Sequence, residues 1–441
     1  MRRTHQDSQH HPDPARNRAV NRLLLAACIG LITVFAGCRG GGDGGSPTPE
    51  FETQPLSPEL QAMLEEVAAI RGLPVPADLS IGAVPRSRVV EFLDARLDDR
   101  ERADMDQLTV LFRLQGHLPA NGDFREAILQ LLGEFAIGFY EPSDRTMWLV
   151  RNEIALDPAD LTTQERSTLA HEFVHALQDN AFDLRFLQDD APYGSDAGLA
   201  RSAVIEGDAV AHERFWLESH LATAEVRVFM LASASSSALS PSIERELRFP
   251  YQAGLDWVGA VRAASGQQGI DRVLRDRRAL TTAEIMHPTI RETGWQPATV
   301  ELPNIAPALG DGWTQTASST LGEFRLANYL QLWLPGLTAL GAAQGWVGDR
   351  YTIYENKSRS VATFRVRFTT AKEAGEFAQA HLKLLAASGA NVEQRAADDL
   401  GTHRDGRTVI QLRDTAQDEV IYVIGSDREV AEAAVALLQN L

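Results

Sequence analysis

The stretch "LAHEFVHAL", Leu169 to Leu177, constrains this chain more than any other. Its apolar residues favour burial on a helix, yet His171, Glu172 and His175 interrupt them. A helix turns once in about 3.6 residues, so two histidines four apart stand one above the other on a single face. Burying three such groups without partners is costly. Either that face is solvated, or the fold must bring something that satisfies it.

A divalent cation suits this spacing. Two neutral imidazoles can bind one Zn2+ ion, and the glutamate between them reaches a water at the open position without ligating the metal. The ion lowers that water's pKa and polarises a bound carbonyl. Glu172 would take the water's proton and return it to a departing amine. A purely structural zinc site has no need of a base there, so Glu172 favours hydrolysis.

The third ligand must come from elsewhere, and "ARSAVIEGDAVAHERF" offers it on a second predicted helix. Glu206 is the first choice, with Gly207 expected to let its helix approach the metal-bearing one. Asp208 and His212 are the alternatives. Asp208, and Asp179 four residues beyond His175, are also candidates to orient a ligand histidine through its other ring nitrogen. The longer HExxHxxGxxH pattern is absent, because Gln178 and Ala181 occupy its last two marks. Tyr140, Tyr251 and His287 are candidate donors to a developing oxyanion or to substrate. A structural tyrosine or a core histidine is the plainer reading of each.

"HEFVHALQDNAFDL" with "EGDA" resembles the gluzincin type of zinc metallopeptidase. The likeness implies a zincin catalytic domain over about residues 120–290, with a glutamate ligand on the helix after the HExxH helix. The chain is also similar to a largely uncharacterised group of bacterial exported zincin-like proteins. "FPYQAGLDWV", "AEIMHP", "TLGEF" and "GWVGDRY" carry that second likeness, which implies no particular substrate.

Around the motif, helical spacing dominates. Ser57 before Pro58 caps a helix, and others are predicted over Ser87–Leu97, Ala103–Leu114, Asp123–Leu132, Leu199–Leu217 and residues 222–236. "GFYEPSDRTMWLV" predicts a short hairpin leading into the HExxH helix. After Trp346 the period becomes two: "VATFRVRF" puts Ala362, Phe364, Val366 and Phe368 on one face. The tail reads ββαββα. The fold class is therefore α+β, a mainly helical zincin-like domain over 56–345 with a hairpin or edge sheet, plus a small α/β domain over 346–441.

The N-terminus reads as targeting. Residues 1–37 carry five arginines against two aspartates, and the apolar segment Leu23–Gly37 ends at Cys38. This resembles a bacterial lipoprotein signal, which implies lipidation at Cys38, export to the cell envelope and a Gly/Pro/Ser-rich tether over 38–55. Cys28 also ends a short lipoprotein-like pattern, but after a shorter apolar run. Both cysteines of the chain, Cys28 and Cys38, lie here, so the body has no disulfide and no thiolate ligand. With a formal charge of −18 overall, the body repels phosphate backbones, and nucleic acid is excluded as a partner. The expected partners are a peptide or protein substrate and a membrane. Two function classes remain: a membrane-tethered zinc metallopeptidase, or a zincin-fold binding or assembly protein with a structural metal.

Overall fold

The computed structural model describes residues 51–152, 157–184, 191–192, 194–222, 225–226, 240–413 and 416–439. The leader, Cys28, Cys38 and the tether up to Glu50 lie outside those residues, as does most of the helix expected over 222–236.

The α+β class holds, with helices around one small and one larger sheet. Thr53–Pro55, the last residues of the expected tether, instead form an edge strand (β1) paired antiparallel to β2, Ser80–Val84. Helix α1, Pro58–Arg71, lies between them; Ser57 caps its start and Gly72 ends it with φ +78°. Three helices follow: α2 (Val89–Asp94), α3 (Asp99–Gln115) and α4 (Phe124–Phe135). Asp98 and Glu101 close a capping box on α3, which starts that helix earlier than its apolar spacing alone predicts.

The hairpin is present as β3, Gly138–Glu141, and β4, Thr146–Val150. β4 lies parallel to β2, giving the order β1-β2-β4-β3. Alternation along β4 sends Met147 and Leu149 to one core with α1, and Trp148 and Val150 to another with α2 to α4. Both faces of this sheet are thus covered, which is why β4 reads as a continuous apolar run.

Helix α5, Thr163–Phe182, carries the HExxH motif against the first of those cores. It begins with a capping box between Thr162 and Glu165. Helix α6, Asp196–His220, packs beside it and is buried from Gly198 through Glu213. On the far side of α6 lies α7, Pro241–Ser265, followed by α8, Gln267–Arg275. Short helices α9 (Thr282–Met286) and α10 (Ala306–Leu309) lead to the larger sheet.

That sheet holds more strands than the sequence period shows. β5 is Thr314–Ser319, β6 Trp346–Asn356 and β7 Arg359–Phe368, with α11 (Gly322–Leu330) and α12 (Gly336–Ala343) between β5 and β6. After α13, Ala371–Ala387, come β8 (Asn391–Gln394), β9 (Asp398–Thr402), β10 (Thr408–Leu412), β11 (Glu419–Gly425) and the helix α14, Arg428–Leu438. The order is β5-β6-β7-β11-β10-β9-β8, antiparallel throughout. The sheet therefore starts at Thr314 rather than Trp346, and β8 and β9 extend the expected ββαββα. Ala362, Phe364, Val366 and Phe368 do share one face, packed on α13 and in one continuous core with α3 and α4. Val361, Ile410, Ile421 and Val423 pack the other face on α14.

Candidate metal centre

α5 and α6 position the centre because the apolar residues of their middle turns are spread over nearly every side. A helix of that kind is driven into the interior wherever it packs, and the polar groups it carries go with it. His171, Glu172, His175, Gln178, Glu206, Asp208, His212 and Glu213 are all buried.

His171, His175 and Glu206 converge. The His171 Nε2 atom lies 3.1 Å from His175 Nε2 and 3.2 Å from Glu206 Oε2, and His175 Nε2 lies 3.4 Å from the same oxygen. Those three distances make a nearly equilateral triangle. A zinc ion about 2.0–2.1 Å from each of three tetrahedral ligands needs ligand atoms roughly 3.3 Å apart. The donor set fits in kind and in spacing.

Charge points the same way. Glu172, Glu206 and Glu213 surround two imidazoles in a buried setting, an excess of negative charge that a divalent cation offsets. Burial raises the Glu206 carboxyl, but His175 and His171 overcome this and hold it at about 2. Burial lowers the His171 imidazole, while hydrogen bonds to Glu206 and Glu213 hold it well above its ordinary value. The field at this point favours positive charge.

Glu172 is held differently. Its Oε2 accepts a hydrogen bond from the Tyr140 backbone N–H at 2.9 Å, whereas its Oε1 has no partner among the described residues. Burial pushes its carboxyl up to about 7, against the pull of His175 and His171. One oxygen is anchored by β3 and the other is left for a proton.

Glu213 and Gln178 were not singled out by sequence reasoning. Glu213 Oε2 sits 3.2 Å from His171 Nδ1, and its other oxygen accepts from the Ser167 hydroxyl. Gln178 Oε1 lies 2.9 Å from His175 Nδ1. Each ligand ring therefore has its remote nitrogen fixed, which sets the ring's orientation. The available signals were helical ones: Glu213 is two turns beyond Glu206, and Gln178 is one turn beyond His175. Replacing Glu213 with Gln keeps the shape and removes the charge behind His171. Zinc affinity is expected to fall about 10–100-fold, read by competition with a chromogenic chelator.

Several expected roles change. Asp208 does not touch a ligand histidine; it accepts from Gln178 Nε2 at 2.9 Å and pairs with Arg71 at 2.7 Å, so it acts one residue further back. Burial raises its carboxyl, yet Arg71, His212 and Gln178 hold it well below the usual range. Asp179 is not a member of the converging group; it accepts from the Tyr140 hydroxyl at 3.0 Å and the Leu184 N–H at 3.1 Å. That bond occupies the Tyr140 hydroxyl, whose pKa burial and Asp179 drive upward; Tyr140 serves the site through its backbone. His212 is not part of the converging group; its Nδ1 is 2.7 Å from the Asp208 carbonyl oxygen. His287 pairs with Glu323 at 2.8 Å, which raises its pKa. Tyr251 alone of the three candidate donors is stacked beside a ligand, with its ring 6.3 Å from that of His171. Gly207 brings α6 against α7 rather than α5: a Cβ there would fall 2.2 Å from the Gly254 carbonyl carbon.

The arrangement is consistent with an HExxH-type zincin metal site and supports metal-activated catalysis. A family profile described as a domain of unknown function (DUF8575) matches residues 311–434. That segment coincides with the larger sheet from β5 into α14 and contains none of the triangle. No curated protein and no solved structure matches the chain.

Proposed function

We propose that this chain is a membrane-tethered zinc metallopeptidase that hydrolyses peptide bonds. The observation that carries the reading is the conjunction of the ligand triangle with a carboxylate that takes no part in it. Glu172 has one oxygen bonded to Tyr140 N–H and one without a partner among the described residues. A site built only to hold an ion would have no use for that second oxygen.

His171, His175 and Glu206 would hold the zinc, which would supply Lewis acidity at a carbonyl and acidify a water. Glu172 then accepts the proton of the attacking water and delivers it to the amine as the peptide bond breaks. Glu213 and Gln178 keep the two rings aimed inward. We assign to Tyr251 the polarising contact to substrate, on the ground that it lies against His171. The leader ending in Cys38 supports export to the bacterial envelope and attachment there through lipid.

Elemental analysis of the purified full chain tests the reading. About one zinc per chain is expected, with cleavage of a mixed peptide library that stops on chelation and returns with zinc. Stoichiometric zinc in a folded chain that cleaves nothing in the library would favour the binding or assembly role instead.

A further inference from the structure

Helix α12 is amphipathic the wrong way round. It buries Ala339, Ala342 and Ala343 and turns its leucines outward. Leu337 is 88% exposed and Leu340 37%, and Trp333 in the turn just before the helix is 56% exposed. Leu337 and Leu340, three residues apart in the helix, lie on one side of it, and Trp333 stands four residues before Leu337 in the chain. The other large exposed hydrophobics among the described residues are Val75, in the loop after α1, and Val90, on α2. Scattered apolar residues need no explanation, but a cluster of a tryptophan and two leucines does.

The sequence around the cluster is equally unusual. From Leu326 to Gly348 there is no charged residue at all, in a chain that is 23% charged. The exposed positions between the three large side chains are Pro335, Gly336 and Thr338, with Gly341 just beyond. A water-facing helix normally carries charge on its outer side; this one has neither charge nor a basic fringe.

We propose that this face, residues 331–344, docks on the bilayer surface to which the chain is tethered, with Trp333, Leu337 and Leu340 entering the interfacial layer. Tryptophan favours that layer because its ring is apolar while its N–H remains wet. α12 has eight residues, far too few to cross a membrane, so it would lie in the plane. The inference rests on the tethering reading of the N-terminus and is independent of the peptidase chemistry.

The chain itself argues for a bilayer as the occupant. Twelve residues, Arg39 to Glu50, separate Cys38 from the described body. Twelve residues reach at most roughly 40 Å even if fully extended, about twice the radius of gyration expected for a body this size, roughly 20 Å. A lipid at Cys38 would therefore hold the body close to the surface. An apolar face supplies the second contact. Because the body is acidic and the face uncharged, attraction to anionic lipid plays no part.

The test uses the full-length chain with zwitterionic phosphatidylcholine vesicles containing acyl-brominated lipid, which quenches tryptophan within the bilayer. The wild type is expected to float with the vesicles and to lose emission, and Trp333→Phe is expected to float without that loss. Leu337→Asp with Leu340→Asp should still float, retain wild-type zinc content, and lose the quenching. Replacing part of the lipid with anionic phosphatidylglycerol should add nothing. A chain that floats with Trp333 unquenched would overturn the docking face while leaving the tether intact. A chain that does not float would remove the tether and the docking with it. Quenching only on anionic vesicles, or a stable dimer that the two aspartates split, would assign the face to another occupant.

Discussion

Glu172→Gln is expected to keep the proposed zinc and to lose peptide hydrolysis by about 10²–10⁴-fold, the usual share of a positioned general base. The ion stays because Glu172 is outside the ligand triangle, whose corners are His171, His175 and Glu206. The fold stays because glutamine has the same shape and its amide oxygen still accepts from the Tyr140 N–H, now 2.9 Å from Oε2. What disappears is the basic oxygen, since an amide does not take up a proton near neutral pH. Measuring zinc content and kcat on the same preparation separates the two effects. Full turnover in the variant would remove Glu172 from the chemistry; loss of zinc would instead make it part of the ion's support.

What could be read from the sequence was what depends on local repetition. Four-residue spacing places His171 above His175 wherever the segment is helical, and alternation places Phe364 and Val366 together wherever the segment is a strand. Glu206 was reachable because a carboxylate inside an apolar helix needs a partner. Glu213 and Gln178 were less so, because which turn of α6 meets which turn of α5 is settled by packing. The close approach at Gly207 and Gly254 shows the same limit: glycine announced a tight crossing but not the helix it crosses. Tyr140 shows another, since its contribution at Glu172 is a backbone N–H that any residue but proline could supply. β8 and β9, "NVEQ" and "DDLGT", have little strand character of their own and become strands by pairing in a sheet already formed. Gly138–Glu141, although an edge strand, was visible because it belongs to a hairpin with a turn signal.

Arg71→Met is expected to cost about 3–5 kcal/mol, the range for removing one partner of a buried ion pair. Arg71 ends α1 with its side chain fully enclosed, Nε 2.7 Å from Asp208 and Nη2 2.7 Å from Asp271. Methionine fills most of the same volume, so packing loss is small and the penalty comes from the carboxylate left behind. Asp208 also accepts from Gln178, which in turn fixes His175 Nδ1. A displaced Asp208 would therefore loosen His175, the proposed zinc ligand two links away, and zinc affinity should fall together with stability. Asp208→Asn separates the two consequences. It removes the stranded charge but leaves an oxygen for Gln178, so Arg71→Met with Asp208→Asn should recover much of the stability lost in Arg71→Met alone. Urea unfolding of the wild type, both single variants and the double variant reads the coupling directly. Additive losses across that cycle would mean that Arg71 stabilises α1 by packing, and that the line of contacts from Arg71 through Asp208 and Gln178 to His175 carries no energy.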